Sequence, residues 1–245
     1  MRTNLALVAI LLAVAGCGGP TEPAAETEAL DEESAVSVVE PELVATASGA
    51  APTTDRFQLG RNYLRLSPTQ PTSSNPDQVE VCEVFWYGCP HCRAFEPLLE
   101  RWRAAQPDYV SFVRVPAVWN PQLEMHARAF YTAEALGKGE EMHAEFFAEI
   151  QDRRNNLDTE AKVAAFFARF GVEPEAFKST WDSFAVRLKL QRADELNRRY
   201  RIGSVPTMIV NGKYTTGGDD SIGVASHEEL LELVDELVAA EREGR

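Results

Sequence analysis

Cysteine is scarce in this 245-residue chain: four residues, at positions 17, 82, 89 and 92. A small scaffold stapled by several disulfides is therefore excluded. Cys89-Pro90-His91-Cys92 has no second Cys or His pair to complete a four-ligand zinc site. Arg93 rather than histidine follows Cys92, which removes the Cys-x-x-Cys-His haem signature. His126, His143 and His227 show no metal-like spacing, so no metal or cofactor is implied. Positive charge is also short, 24 basic against 38 acidic residues, for a net charge of −14. That balance favours solubility and argues against nucleic acid as a partner. No internal repeat is present.

The first apolar run, Leu5 to Ala15, is too short to span a bilayer as a mature helix. With Arg2 ahead of it, it reads as an export signal. The run ends in Val14-Ala15-Gly16-Cys17, which resembles the lipobox of bacterial lipoproteins, where the chain is cut before the cysteine and that cysteine carries lipid. Cleavage after Ala13-Val14-Ala15, a small-x-small pattern, is the alternative. Residues 1–17 are thus read as a signal peptide with Cys17 as lipid attachment site. Residues 18–55 hold nine acidic residues, no Lys or Arg and no aromatic residue. Such a segment cannot bury enough apolar surface to order itself and is expected to be a disordered acidic tether. Export also implies an oxidising compartment, in which a vicinal cysteine pair can exist as a disulfide.

Chemistry concentrates after the apolar, β-prone run Val79 to Tyr87, read as a central strand covered on both faces. A strand that ends in Cys-x-x-Cys and opens into a helix is the layout of a thiol–disulfide redox centre. Two intervening residues on one helical turn bring the sulfurs within bonding reach. They also leave Cys89 at a helix N-terminus, where unpaired N–H groups favour a thiolate. Cys89 is accordingly the expected nucleophile, or the sulfur attacked in the oxidised protein. Cys92, one turn deeper, resolves the mixed disulfide.

Around this centre the pattern gives an edge strand over Phe57–Leu66 and a Pro/Ser/Thr-rich loop over Ser67–Asp77. A helix follows from Cys89 to about Ala105, with Phe95, Leu98, Leu99 and Trp102 on one face and Pro97 inside it, and then a strand over Val110–Val115. From Pro121 to about Tyr200 the chain is almost continuously helix-prone, with its Phe and Trp residues, Phe177, Trp181 and Phe184 among them, expected in a core. Thr159 or Asp158 suits a helix cap, Gly171 a stop and Pro174 a helix start. Thr207–Val210, Asn211-Gly212 and Lys213-Tyr214-Thr215 read as a hairpin, and Ser226 with Glu229 as a capping box for the last helix. The class is α/β: a β-α-β unit and a β-β-α unit separated by a helical insertion.

The chain resembles the DsbA family of thiol:disulfide interchange proteins, through Phe85-Trp86-Tyr87-Gly88-Cys89-Pro90-His91-Cys92, Trp181-Asp182-Ser183-Phe184, Gly203-Ser204-Val205-Pro206 and Val210-Asn211-Gly212-Lys213-Tyr214. The acidic tether and lipobox depart from the family's usual soluble form. The resemblance implies a thioredoxin fold with an inserted all-helical subdomain, divided as 56–120 and 185–245 around 121–184. It favours His91 as a group that stabilises the Cys89 thiolate, and so makes the disulfide a stronger oxidant, over a bland exposed histidine. It makes Glu83 a buried acid exchanging protons with the deeper cysteine; a strand-edge glutamate reaching solvent is the alternative. Arg114 falls near the position of a charge partner, or on the surface. Pro206 is implied to follow a cis bond, against an ordinary trans turn proline, with Pro90, Val205 and Pro206 contacting substrate. Cys82 reads as a buried core thiol, with a regulatory role as the alternative.

Taken together, these implications describe a monomeric periplasmic oxidoreductase, anchored to the membrane by lipid. It donates its Cys89–Cys92 disulfide to unfolded, cysteine-containing exported proteins through a mixed disulfide at Cys89. A membrane quinone-linked partner of the DsbB type reoxidises it. The alternatives are a reductase or isomerase of the same fold, and a non-enzymatic metal-binding envelope lipoprotein. Nothing resembling a dimerisation domain supports an isomerase.

Overall fold

A computed structural model describes residues 56–217 and 223–244. The expected signal, Cys17 and the acidic segment 18–55 lie outside the described residues. Strand β2 (Val79–Phe85) is buried at every position, in keeping with its nearly unbroken apolar sequence. It pairs in parallel with β3 (Val110–Pro116) and antiparallel with β4 (Thr207–Val210). Strand β5 (Tyr214–Gly217) pairs with β4, and β1 (Leu64–Arg65) closes the other edge, for the order β1-β5-β4-β2-β3.

The edge strand is shorter than the expected Phe57–Leu66. The N–H groups of Arg61 and Asn62 turn back onto the Gln58 carbonyl, and Gly60 N–H onto Tyr63, so the chain loops there and the ladder to β5 is confined to Leu64–Arg65. The hairpin loop is also longer than Asn211-Gly212 alone, because Val210 pairs with Tyr214 and Lys213 belongs to the turn. Asn211 and Gly212 both have positive φ, 52° and 62°. A Cβ on Gly212 would stand 2.1 Å from the Gln70 carbonyl oxygen, so only glycine lets that loop approach.

Helix α1 (Pro90–Ala105) joins β2 to β3, and α7 (His227–Glu243) lies on the same face of the sheet. Phe95, Leu99 and Trp102 of α1 pack with Leu230, Leu233 and Leu237 of α7. Each such side chain contributes about 1.5–3 kcal/mol by leaving water. The indole N–H of Trp102 donates to Asp235 at 2.7 Å, tying the two helices by a polar contact as well. Ser226 caps α7 by accepting the Glu229 N–H at 3.2 Å, whereas the Glu229 carboxylate takes the Ala225 N–H.

Between β3 and β4 run α2 (Pro121–Ala135), α3 (Gly139–Phe147), a π-helical turn (Ala148–Asp152), α4 (Glu160–Ala168), α5 (Pro174–Trp181) and α6 (Phe184–Arg199). Thr159 caps α4 and Pro174 opens α5, as their positions predict. These helices cover the opposite face of the sheet with an aromatic core that includes Phe85, Tyr87, Phe130, Phe146, Phe147 and Phe167. Phe184 corrects the expectation of a buried aromatic. It is the first residue of α6, past the Ser183 cap, and stands 70% exposed.

Candidate active site

Strand β2 ends at Phe85, and the chain turns so that the Cys89 N–H bonds the Trp86 carbonyl at 2.9 Å. Gly88 permits the turn, since a Cβ there would meet the Trp86 ring at 2.3 Å. Cys89 is the N-cap of α1, and its sulfur accepts the Cys92 backbone N–H at 3.5 Å. Pro90 and His91 follow as exposed first-turn residues. Cys89 is 8% exposed and Cys92 not at all. The pair is therefore graded from rim to interior by one helical turn.

That position sets the chemistry of the two thiols. The Cys89 pKa is lowered to about 6. The Cys92 thiol hydrogen bond is the main cause; burial opposes it, and the N–H groups of Cys92 and His91 and the His91 charge add to it. Burial pushes the Cys92 thiol far up, and its interaction with Cys89 pushes it further. The loop before β4 closes over the pair: the Val205–Pro206 bond is cis, and the Val205 carbonyl accepts from the Cys89 thiol at 3.3 Å. Thr207 steadies this loop by donating to the Ser204 carbonyl at 2.8 Å.

Glu83 is completely buried, on the face of β2 opposite Cys82. Burial raises its pKa to about 8 despite the nearby Arg114. Arg114 stands beside it in the β2–β3 register, with Nε 3.3 Å from Glu83 Oε2. The same guanidinium reaches Glu96 at 2.8 Å and also pairs with Glu100. Burial works against the Arg114 charge, but the three carboxylates outweigh it and its pKa rises. Cys82 lies buried in the other core, its thiol pushed well up by burial.

Sequence reasoning left Arg114 open and missed Glu96, His143 and Gln151. Glu96 had a signal, since it follows Cys92 by one helical turn and shares its face. Gln151 had none. It projects from the π-helical turn, and its amide donates to the carbonyls of Tyr87 at 2.8 Å and Cys89 at 3.0 Å, pinning the active-site turn to the helical insertion. His227, at the start of α7, packs its ring against Phe95 at a 45° tilt, with centroids 5.0 Å apart. Burial lowers its pKa first, and the His91 charge adds to the effect. His126 is structural: Nδ1 accepts the Trp86 indole N–H at 2.9 Å and Nε2 faces the Asn156 carbonyl at 2.8 Å. Among the described residues no three His, Cys, Asp or Glu side chains are grouped to hold a metal ion, and no helix is long and apolar enough to cross a membrane.

A helix-capping cysteine of low pKa, a buried partner thiol and a cis-proline loop over them define a thioredoxin-fold thiol–disulfide oxidoreductase. A family profile described as DSBA-like thioredoxin domain matches residues 80–227. The chain belongs to the DsbA family. It is 39% identical over 199 residues to the thiol:disulfide interchange protein DsbA of Pseudomonas aeruginosa, covering 81% of this chain and 92% of that one. It is 37% identical to the DsbA of Azotobacter vinelandii, with coverage of 77% and 86%. The crystal structure of Pseudomonas aeruginosa DsbA superposes with a TM-score of 0.73 at 39% identity, over 78% of this chain and 97% of that chain. DsbA from Xylella fastidiosa gives a TM-score of 0.70 at 30% identity, over 79% and 99%.

Proposed function

We propose that the protein is a periplasmic oxidase that donates its Cys89–Cys92 disulfide to exported proteins as they fold. The observation that carries this reading is the lowered pKa of the Cys89 thiol at the α1 N-terminus. A sulfur that is comfortable as a thiolate is a good leaving group, and it stabilises the reduced state, so the bridged state is a strong oxidant. A substrate thiolate attacks Cys89 Sγ, the Cys89–Cys92 bond breaks, and Cys92 leaves with the electron pair and takes a proton. A second substrate thiolate then attacks the substrate sulfur of the mixed disulfide, and Cys89 leaves as thiolate. The substrate loses two electrons and the enzyme gains them.

In this reading His91 supplies positive charge to the Cys89 thiolate, and Glu83 exchanges the Cys92 proton. Pro90, Val205 and Pro206 form the substrate contact, the backbone of Val205 pairing with an extended chain. The division into 56–120 plus 185–245 and 121–184 separates the part that holds the cysteines from a helical cover. Reoxidation falls to a DsbB-like membrane quinone-linked oxidase. The lipobox sequence at Cys17 supports a lipid anchor, and several acyl chains together hold a protein stably on a membrane.

Two experiments test this reading. With Cys92→Ser the resolving thiol is lost, and covalent adducts between Cys89 and secreted clients accumulate on non-reducing gels. Absence of adducts while Cys89 still reacts with alkylating reagents reverses the assigned order of the two sulfurs. For the anchor, wild type labels with fatty acid and fractionates with membranes, and Cys17→Ala does neither; equal partitioning of both removes lipidation.

A further inference from the structure

Trp86 is the first residue after β2, and its side chain takes no part in the thiol exchange itself. Its carbonyl accepts the Cys89 N–H at 2.9 Å, and its ring occupies the space a Gly88 Cβ would need. The indole therefore roofs the turn that carries Cys89. Its N–H donates to His126 Nδ1 of α2 at 2.9 Å, the two ring planes lying 22° apart. An indole N–H can only donate, so Nδ1 carries a lone pair and the hydrogen of the imidazole sits on Nε2. That hydrogen goes to the Asn156 carbonyl, 2.8 Å away. The ring is thus neutral, with both nitrogens committed. Burial favours the neutral form, while the Asn156 carbonyl and Asp158 pull the other way. Asp158 is itself paired with Lys162 at 2.7 Å.

Asn156 belongs to a loop over residues 153–159 that is held in an uncommon shape. Arg154 and Leu157 have positive φ, 58° and 45°, where residues other than glycine seldom sit. Leu157 is nonetheless fully buried, which fixes the loop from inside. Asn155 fixes it from its start. Its backbone N–H reaches the Glu149 carbonyl at 3.0 Å, and its side-chain amide reaches Glu149 Oε1 at 2.9 Å. Glu149 is held in turn by Arg153 and Arg169. A backbone of this kind persists only where its surroundings over-determine it, and such backbone gathers at functional sites. Here it presents one carbonyl to His126.

We propose that His126 is a positioning residue for the disulfide chemistry: it clamps the Trp86 indole between α2 and this loop, and so sets where the Cys89 turn places its sulfur. The proposal rests on the oxidoreductase reading above and deepens it. Cys89 Sγ receives the Cys92 N–H at 3.5 Å, a length at which a small displacement of the turn costs the contact. Gln151 holds the same turn through two carbonyls, but neither of those bonds fixes the indole. His126 acts on the sulfur only through Trp86.

The test follows the Cys89 thiolate titration of the full-length reduced protein by ultraviolet absorbance, beside single-turnover oxidation of a reduced dithiol peptide by the oxidised form. His126→Leu removes both ring hydrogen bonds, and Trp86→Phe removes the indole donor. We expect each to move the Cys89 midpoint up from about 6 by about one pH unit, and to slow release of the mixed disulfide by about fivefold. The double variant is expected to be no worse than either single one, because the same bond is lost. His126→Asn, whose side-chain oxygen can take the indole N–H, recovers most of the shift. A destabilised His126→Leu with an unmoved midpoint and rate makes His126 a packing residue and overturns the clamp, as do additive effects in the double variant. Should His126→Leu fail to fold, the Trp86→Phe midpoint decides: raised supports the clamp, unmoved overturns it. A wild type that does not oxidise the peptide at all defeats the underlying reading instead, while the titration still decides the clamp.

Discussion

Glu80 and Glu83 sit in the same buried strand and meet opposite fates. Glu80 Oε2 accepts four hydrogen bonds from the backbone and hydroxyls of Ser73 and Ser74, at 2.7–3.1 Å. Glu83 has one long contact to Arg114 and an unpartnered oxygen. The folded pKa of Glu83, about 8, lies above its ordinary 4.5, so the folded state holds a proton that the unfolded chain releases. Stability from this group is whole below about pH 4.5 and is lost as pH rises through 8. We therefore expect Glu83→Gln to be more stable than wild type above pH 8, by on the order of 2 kcal/mol, in denaturant unfolding. The advantage shrinks toward pH 4.5; a difference flat with pH would mean that Glu83 is ionised throughout. An acid in an apolar strand was visible in the sequence. Which of the two acids was left wanting was not, because the serines that satisfy Glu80 come from a loop whose path no pattern fixes.

At the scale of elements, α1 works because its N-terminus, its buried face and its anchor come from different places. The Cys-x-x-Cys spacing and the 3.6-residue repeat of Phe95, Leu99 and Trp102 were legible in the chain, and so were Thr159, Pro174 and Ser226 at helix starts. The β2–β3 register was not legible, and with it the pairing of Glu83 with Arg114 stayed open. The π-helical turn was equally hidden, since Ala148–Asp152 carries no breaker and reads as ordinary helix. Its consequence is measurable through Gln151, which donates both amide hydrogens to the turn that carries Cys89. Gln151→Ala leaves two carbonyls with fewer partners and is expected to cost about 1–3 kcal/mol in denaturant unfolding. A loss within error would mean that water replaces the amide without penalty and that the insertion does not brace the site.

For the whole molecule, strand and helix order followed from pattern, and so did the buried faces of β2 and α1, while the burial of single residues at element ends followed only from packing. Phe184 looked like core and is surface, because the cap at Ser183 sets which residue of the first turn faces outward. The global property that matters is the balance between the two redox states. A disulfide closing so short a loop stabilises a folded protein by about 2 kcal/mol through the unfolded chain. Against it stands the Cys89 thiolate, whose pKa falls from 9.0 to about 6 on folding. That contribution to the reduced form is full above pH 9 and is lost as pH drops through 6. The deciding measurement is denaturant unfolding of the reduced and oxidised proteins side by side across this range. We expect the reduced protein to be the more stable at pH 8, with the gap closing as pH approaches 6. An oxidised form that is the more stable at every pH would contradict an oxidase built on a favoured thiolate.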